Sequence, residues 1–134
     1  MKIKSVNPFD LSVNGEFEEF SAAKIENYIS LSSKAFLDWR ITSFTGRQAL
    51  FLRCAERLLQ NKAALANTIA IEMGKPVKEG LAEIEKCATV CKYYSENAEA
   101  FLQNENIKTD SYKSYISFEP LGCILAIMPW NFPF

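Results

Sequence analysis

Asn131 is the residue whose surroundings best fit it for chemistry. It lies in IMPWNFPF, residues 127–134, between Pro129 and Pro133. A proline ring fixes its own φ and pushes the preceding residue, here Met128 and Phe132, toward extended backbone. A carboxamide in so stiff a segment donates N–H without titrating near neutral pH. It can therefore meet a developing oxyanion without competing as an acid or a base. A free chain end ordinarily frays, so rigidity placed in this apolar run leads to the expectation that more chain follows it.

The chain contains no histidine. Within these residues that removes Ser/His/Asp triads, Cys–His dyads and His-containing metal sites. Cys54, Cys87, Cys91 and Cys123 show neither a CxxC nor a framework spacing. Cys87 and Cys91, four apart on a predicted helix, read as small buried apolar residues, and no metal is expected. With no apolar run of signal-peptide type in MKIKSVNPFD, these thiols point to a reducing cytoplasm.

The balance of 15 basic against 16 acidic residues, without a basic cluster, leaves no electrostatic footprint for nucleic acid. LGCILAIMPW, the longest nearly unbroken apolar run, has about half the length of a membrane span, so no membrane partner is expected. At 134 residues and 49% hydrophobic composition, one ordinary globular core is the expectation.

The elements that must hold Asn131 follow from periodicity. An extended arm with a turn at Asn14-Gly15 precedes a helix capped by Ser21. Its apolar stripe runs through Ile25, Tyr28, Ile29, Ala35, Phe36 and Trp39. Thr45 is read as the cap of a second helix to Asn61, and Asn61 as the cap of a third. Gly74 and Pro76 end that third helix in EMGKP. A long helix is expected from about Val77 to Phe101, with Leu81, Ile84, Ala88, Cys91, Tyr94 or Ser95, and Ala98 inward. Gly80 weakens its first turn, and the charges of KEGLAEIEK read as a solvated face. The period then changes to 2 across SYKSYISFEP, a strand with one face covered, which Pro120 closes. LGCILAIM is apolar at nearly every position, as in a parallel strand buried on both faces. Ligands gather at the carboxyl ends of such strands, where Asn131 falls.

At these residues a family resemblance enters. EPLGCILAIMPWNFPF, residues 119–134, resembles the first cofactor-domain strand and signature loop of the aldehyde dehydrogenases. EMGKPVKEGLAEIEKCATVCKYYSENA, residues 72–98, resembles the helix pair preceding it. The similarity runs from about Asn7 to Phe134 and is greatest toward bacterial succinate-semialdehyde dehydrogenases. It implies an α/β fold: an N-terminal helical segment followed by the first strands of a Rossmann-type cofactor domain, truncated. On this reading residues 1–111 are arm and helices. Residues 112–120 resemble a strand of the family's oligomerisation hairpin, and residues 121–134 the first cofactor-domain strand and loop.

The activity implied is NAD- or NADP-dependent oxidation of an aldehyde, with succinate semialdehyde a candidate, to an acid. A cysteine thiolate adds to the carbonyl, hydride leaves, and a glutamate-activated water hydrolyses the thioester. Asn131 matches the asparagine that holds the oxyanion, and Met128, Pro129, Trp130 and Asn131 match the strand-end residues beside the cofactor. The family's nucleophilic cysteine, base glutamate and ribose-binding lysine all follow the loop, so none is assigned here. The expectation is an N-terminal portion that lacks turnover alone. The alternative is an interaction module pairing with full-length dehydrogenase subunits.

Overall fold

The computed structural model describes residues 2–134. Its first element is an antiparallel hairpin of β1 (Lys2–Val6) and β2 (Val13–Glu18), with Lys4 opposite Glu16. The turn is not at Asn14-Gly15, which lie inside β2. It falls at residues 7–12, where two short polar side chains do the turning. Asn7 Oδ1 accepts from the Phe9 amide at 3.0 Å, and Asp10 Oδ1 accepts from the Ser12 amide at 3.0 Å and the Ser12 hydroxyl at 2.6 Å. Asn14 instead ties the hairpin to the helices, its Nδ2 donating to the Ile71 carbonyl at 2.9 Å.

Hydrogen bonds from Lys4, then Lys2, hold the Glu16 carboxyl below its ordinary range. The Ser12 hydroxyl and amide do the same for Asp10. Both folded values are depressed, so their contribution is present above the unfolded carboxylate values and lost as pH falls through the folded ones. Cross-strand nuclear Overhauser contacts between Lys4 and Glu16 are therefore expected to persist at neutral pH and to weaken below about pH 4. A Glu16→Gln variant should lack that transition in the contacts between positions 4 and 16 while Asp10 keeps its own in the turn, and position 4–16 contacts equally acid-sensitive in the variant would contradict the assignment.

Helix α1 (Ala22–Trp39) starts where expected, with the Ser21 hydroxyl accepting from the Lys24 amide. Its far end is closed by Arg47, whose guanidinium donates to the Trp39 and Arg40 carbonyls at 3.0 and 3.2 Å. The predicted apolar stripe is only partly covered: Ile25, Tyr28 and Ile29 remain exposed, Phe36 is half-buried, and no α1 residue is buried.

The predicted second and third helices are one. Helix α2 runs unbroken over Phe44–Met73, and its cap is Ser43, two residues before Thr45. Asn61 does not cap, because its Nδ2 donates back to the Arg57 carbonyl at 2.8 Å. That local bond lets an asparagine remain inside a helix. Gly74 ends α2 in the left-handed conformation at φ 78°. Helix α3 (Val77–Phe101) keeps its predicted bounds.

The core is the α2–α3 seam, built from Ala55, Ala66 and Ile69 against Ile84 and Ala88. On α3, Ser95 rather than Tyr94 turns inward. Gly80 permits the close approach: a Cβ there would stand 3.2 Å from both Cα and Cβ of Ala66. Gly80→Val should accordingly cost about 1–3 kcal/mol by overpacking, read as a lower denaturant midpoint. An unchanged midpoint would mean the seam is looser than described.

The strand expected over 112–120 is reduced to β4 (Tyr115–Ile116), paired antiparallel with β3 (Glu105–Asn106). Residues 121–128 join no sheet. Leu121, Leu125 and Ile127 are 92, 86 and 84% exposed, contrary to burial on both faces. A strand exists through its neighbour's hydrogen bonds, and none of the described residues lies alongside to provide them. Cys123, Ile124 and Leu125 rest instead near Phe20, Tyr28 and Ile29, with Cys123 Sγ 4.0 Å from Ser33 Oγ. No helix among the described residues is long and apolar enough to cross a membrane.

Candidate active-site loop

Residues 129–132 form a turn in which the Phe132 amide donates to the Pro129 carbonyl at 3.1 Å. Trp130 and Asn131 occupy its centre. Met128, Trp130 and Asn131 are exposed, and the Asn131 carboxamide has no hydrogen-bond partner among the described residues. Met128 leads directly into this turn, so Met128, Pro129, Trp130 and Asn131, consecutive in the chain, form one exposed stretch.

What the side chain lacks the backbone has. Lys75 Nζ donates to the Asn131 carbonyl at 2.8 Å and lies 4.0 Å from the Phe132 ring centroid. The same ammonium pairs with Glu83 Oε2 at 2.5 Å, while Glu83 Oε1 accepts from the Phe134 amide at 3.2 Å. Both side chains are at least nine-tenths buried. Lys75 leaves the chain beside the left-handed Gly74, and Glu83 projects from the second turn of α3. The loop is consequently anchored on the α2–α3 junction. Trp130, Pro133 and Phe134 also face Thr68, Glu72 and Met73 across an open cleft of about 650 Å³.

Sequence reasoning missed both anchors. KEGLAEIEK was read as a solvated face, yet Glu83 is 8% exposed. The signal was available: Glu83 adjoins Ile84 and stands three residues from Gly80, on the stripe that continues through Ala88. A carboxylate inside an otherwise small or apolar stripe calls for a buried partner.

The cysteines do not gather around Asn131. Burial, foremost, raises the Cys87 and Cys91 thiols above their ordinary value, with Glu83 adding to it for Cys87 and the adjacent Cys54 for Cys91. Raised thiols are poor nucleophiles at neutral pH. All four cysteines are free, and no cluster of metal-ligating side chains occurs among the described residues.

The family model that matches residues 1–134 is that of the aldehyde dehydrogenase family, and the chain belongs to this family. Among curated relatives, succinate-semialdehyde dehydrogenase (NADP+) of Mycobacterium avium is 35% identical over 137 residues, covering 99% of this chain and 29% of the relative. The NAD(P)+ succinate semialdehyde dehydrogenase of Escherichia coli is 38% identical over 112 residues, covering 84% of this chain and 24% of the relative. Among solved structures, succinic semialdehyde dehydrogenase from Streptococcus pyogenes in complex with NADP+ superposes with a TM-score of 0.91. It is 27% identical, and the match covers 97% of this chain and 29% of that one. The chain spans about 30% of the length of such relatives. Its hairpins and three helices match the N-terminal part of an aldehyde dehydrogenase fold.

Proposed function

We propose that residues 1–134 form the oxyanion-side N-terminal portion of an NAD- or NADP-dependent aldehyde dehydrogenase. Asn131 is its catalytic residue, and residues 121–134 are the first strand and loop of a Rossmann-type cofactor domain. The observation that carries the reading is an unpartnered, solvent-facing carboxamide on a loop whose backbone is fixed by a buried ion pair. Succinate semialdehyde is the first candidate substrate, from the names of the similar proteins.

Asn131 Nδ2–H would donate to the aldehyde oxygen as a thiolate adds to the carbonyl carbon and negative charge collects on that oxygen. A preformed donor favours this charged arrangement over the neutral substrate, so it lowers the barrier rather than merely tightening binding. Met128, just before the turn, and Pro129 and Trp130 within it present exposed apolar surface, which fits the flat nicotinamide end of NAD or NADP. When bound, that ring is the hydride acceptor. None of Cys54, Cys87, Cys91 or Cys123 lies on that turn, and the nucleophile is assigned to no residue of these 134. The chain alone is therefore expected to lack turnover, as a cytoplasmic portion of a larger catalytic unit. The test is a chimera in which residues 1–134 replace the matching segment of the M. avium enzyme. It should oxidise succinate semialdehyde, and Asn131→Ala in it should abolish most of kcat. Reduced cofactor formed by the isolated chain would contradict the division of labour.

A second reading follows from the uncovered segment 121–127 and the exposed α1 stripe. Unpaired backbone beside apolar side chains suits edge addition to another chain's sheet. On that reading the protein is an interaction module for full-length dehydrogenase subunits. Co-purification with an intact homologous dehydrogenase would favour it, and a monodisperse chain that ignores such a subunit would exclude it.

A further inference from the structure

We propose that Lys75 and Glu83 are positioning residues, a buried anchor whose role is to hold the Asn131 loop rather than to join the helices. The bonding pattern carries the inference. Of the polar contacts the two side chains make, one is mutual, Lys75 Nζ to Glu83 Oε2, and the others go to the loop. Lys75 takes the Asn131 carbonyl and covers the Phe132 ring, and Glu83 takes the Phe134 amide. Neither side chain bonds another polar group of α2 or α3 among the described residues. A pair retained only for helix packing has no need of two loop partners.

The held atoms bracket Pro133, which has no N–H of its own to offer. Fixing the Asn131 carbonyl on one side and the Phe134 amide on the other sets the orientation of the intervening peptides. With its backbone oxygen drawn inward to Lys75, the Asn131 carboxamide is left on the open side. Charge-assisted bonds suit this task because they are stronger and more directional than neutral ones. Burial raises the stakes, since either ion left without its partner is strongly disfavoured.

The consequence for turnover rests on the oxyanion reading of Asn131, whereas the anchoring itself does not. The test uses the ¹⁵N-labelled 134-residue chain and amide hydrogen exchange. In Lys75→Met with Glu83→Leu, which deletes the acceptor of the Phe134 amide, exchange at Phe134 should rise about 10- to 100-fold, the range for losing a bond to a charged group; in Lys75→Met alone, release of the Asn131 carbonyl should speed exchange at the Phe132 amide of the turn. The Asn131 and Phe132 backbone amide signals should move toward random-coil positions while Ile69 and Ile84 amides keep their protection. Lys75→Arg should restore part of the loop protection. The double variant Lys75→Met with Glu83→Leu removes both charges, protecting the fold from an uncompensated carboxylate while still releasing the loop. The proposal is overturned if the loop is unchanged in Lys75→Met, or if loop and helix amides accelerate together. Failure of both variants to fold would overturn it too, since the pair would then be holding helices. Loop release in Lys75→Met combined with full kcat in the Asn131→Ala chimera would remove the oxyanion reading and leave the anchor. The opposite pair of results would remove only the anchor.

Discussion

Alanine at position 131, in the chimera carrying residues 1–134, is expected to lower kcat by about 10²- to 10³-fold, the usual cost of removing one oxyanion donor. The loss should fall on kcat more than on KM, because the bond strengthens as charge develops on the carbonyl oxygen. Cofactor affinity should be nearly unchanged, since Met128, Pro129 and Trp130 keep their surface. Asn131→Asp is expected to be at least as damaging: it has nearly the same shape but places negative charge where more negative charge must form. Steady-state kinetics with succinate semialdehyde, alongside cofactor titration by fluorescence, reads all three quantities. A kcat within about twofold of the parent in Asn131→Ala would remove the residue from the reaction. Because Asn131 is exposed and its carboxamide bonds nothing among the described residues, the substitution carries little risk to folding.

Ile84→Ala should produce the largest loss of stability, about 2–5 kcal/mol. Ile84 is fully buried and faces the α2 residues that form the only sizeable core among the described residues. Truncation removes transfer free energy and leaves a void that Ala66 and Ala88, being small, cannot fill. With so much apolar surface exposed elsewhere, a loss of that size is a large share of any marginal stability. Chemical denaturation followed by circular dichroism at 222 nm measures it. Val90→Ala is the control on the same helix: Val90 is 44% exposed, and surface changes usually fall within about 0.5 kcal/mol. Equal effects at 84 and 90 would mean that the seam is not the core.

The helices were legible because their information is local. Ser21 and Gly74 end helices by forming bonds or adopting conformations that their own side chains determine, and both stand where expected. Asn61 misled because its carboxamide has two local uses, capping a new helix or back-bonding within an existing one. Asn14-Gly15 misled similarly: the dipeptide favours a tight turn, but Asn7 and Asp10 had already reversed the chain. Segment 121–128 differs in kind. Its apolar pattern specifies burial, whereas strand formation depends on a neighbour that no local pattern encodes.

The candidate site divides along the same line. Asn131 was legible because two prolines and a turn are local features. Its anchors were not, because Lys75 and Glu83 lie 56 and 51 residues from their loop partners. Their pairing becomes visible only once Gly80 brings α3 against Ala66.

The continuity of α2 has a mechanical corollary. At about 1.5 Å per residue, its 30 residues make a rod of about 45 Å with the Arg47 clasp near one tip and the Gly74 bend at the other. The clasp and the bend share no partners and lie a rod's length apart, so substitutions at the two extremities should act additively on stability. Arg47 is therefore a suitable place to disturb this molecule while leaving the distant turn undisturbed.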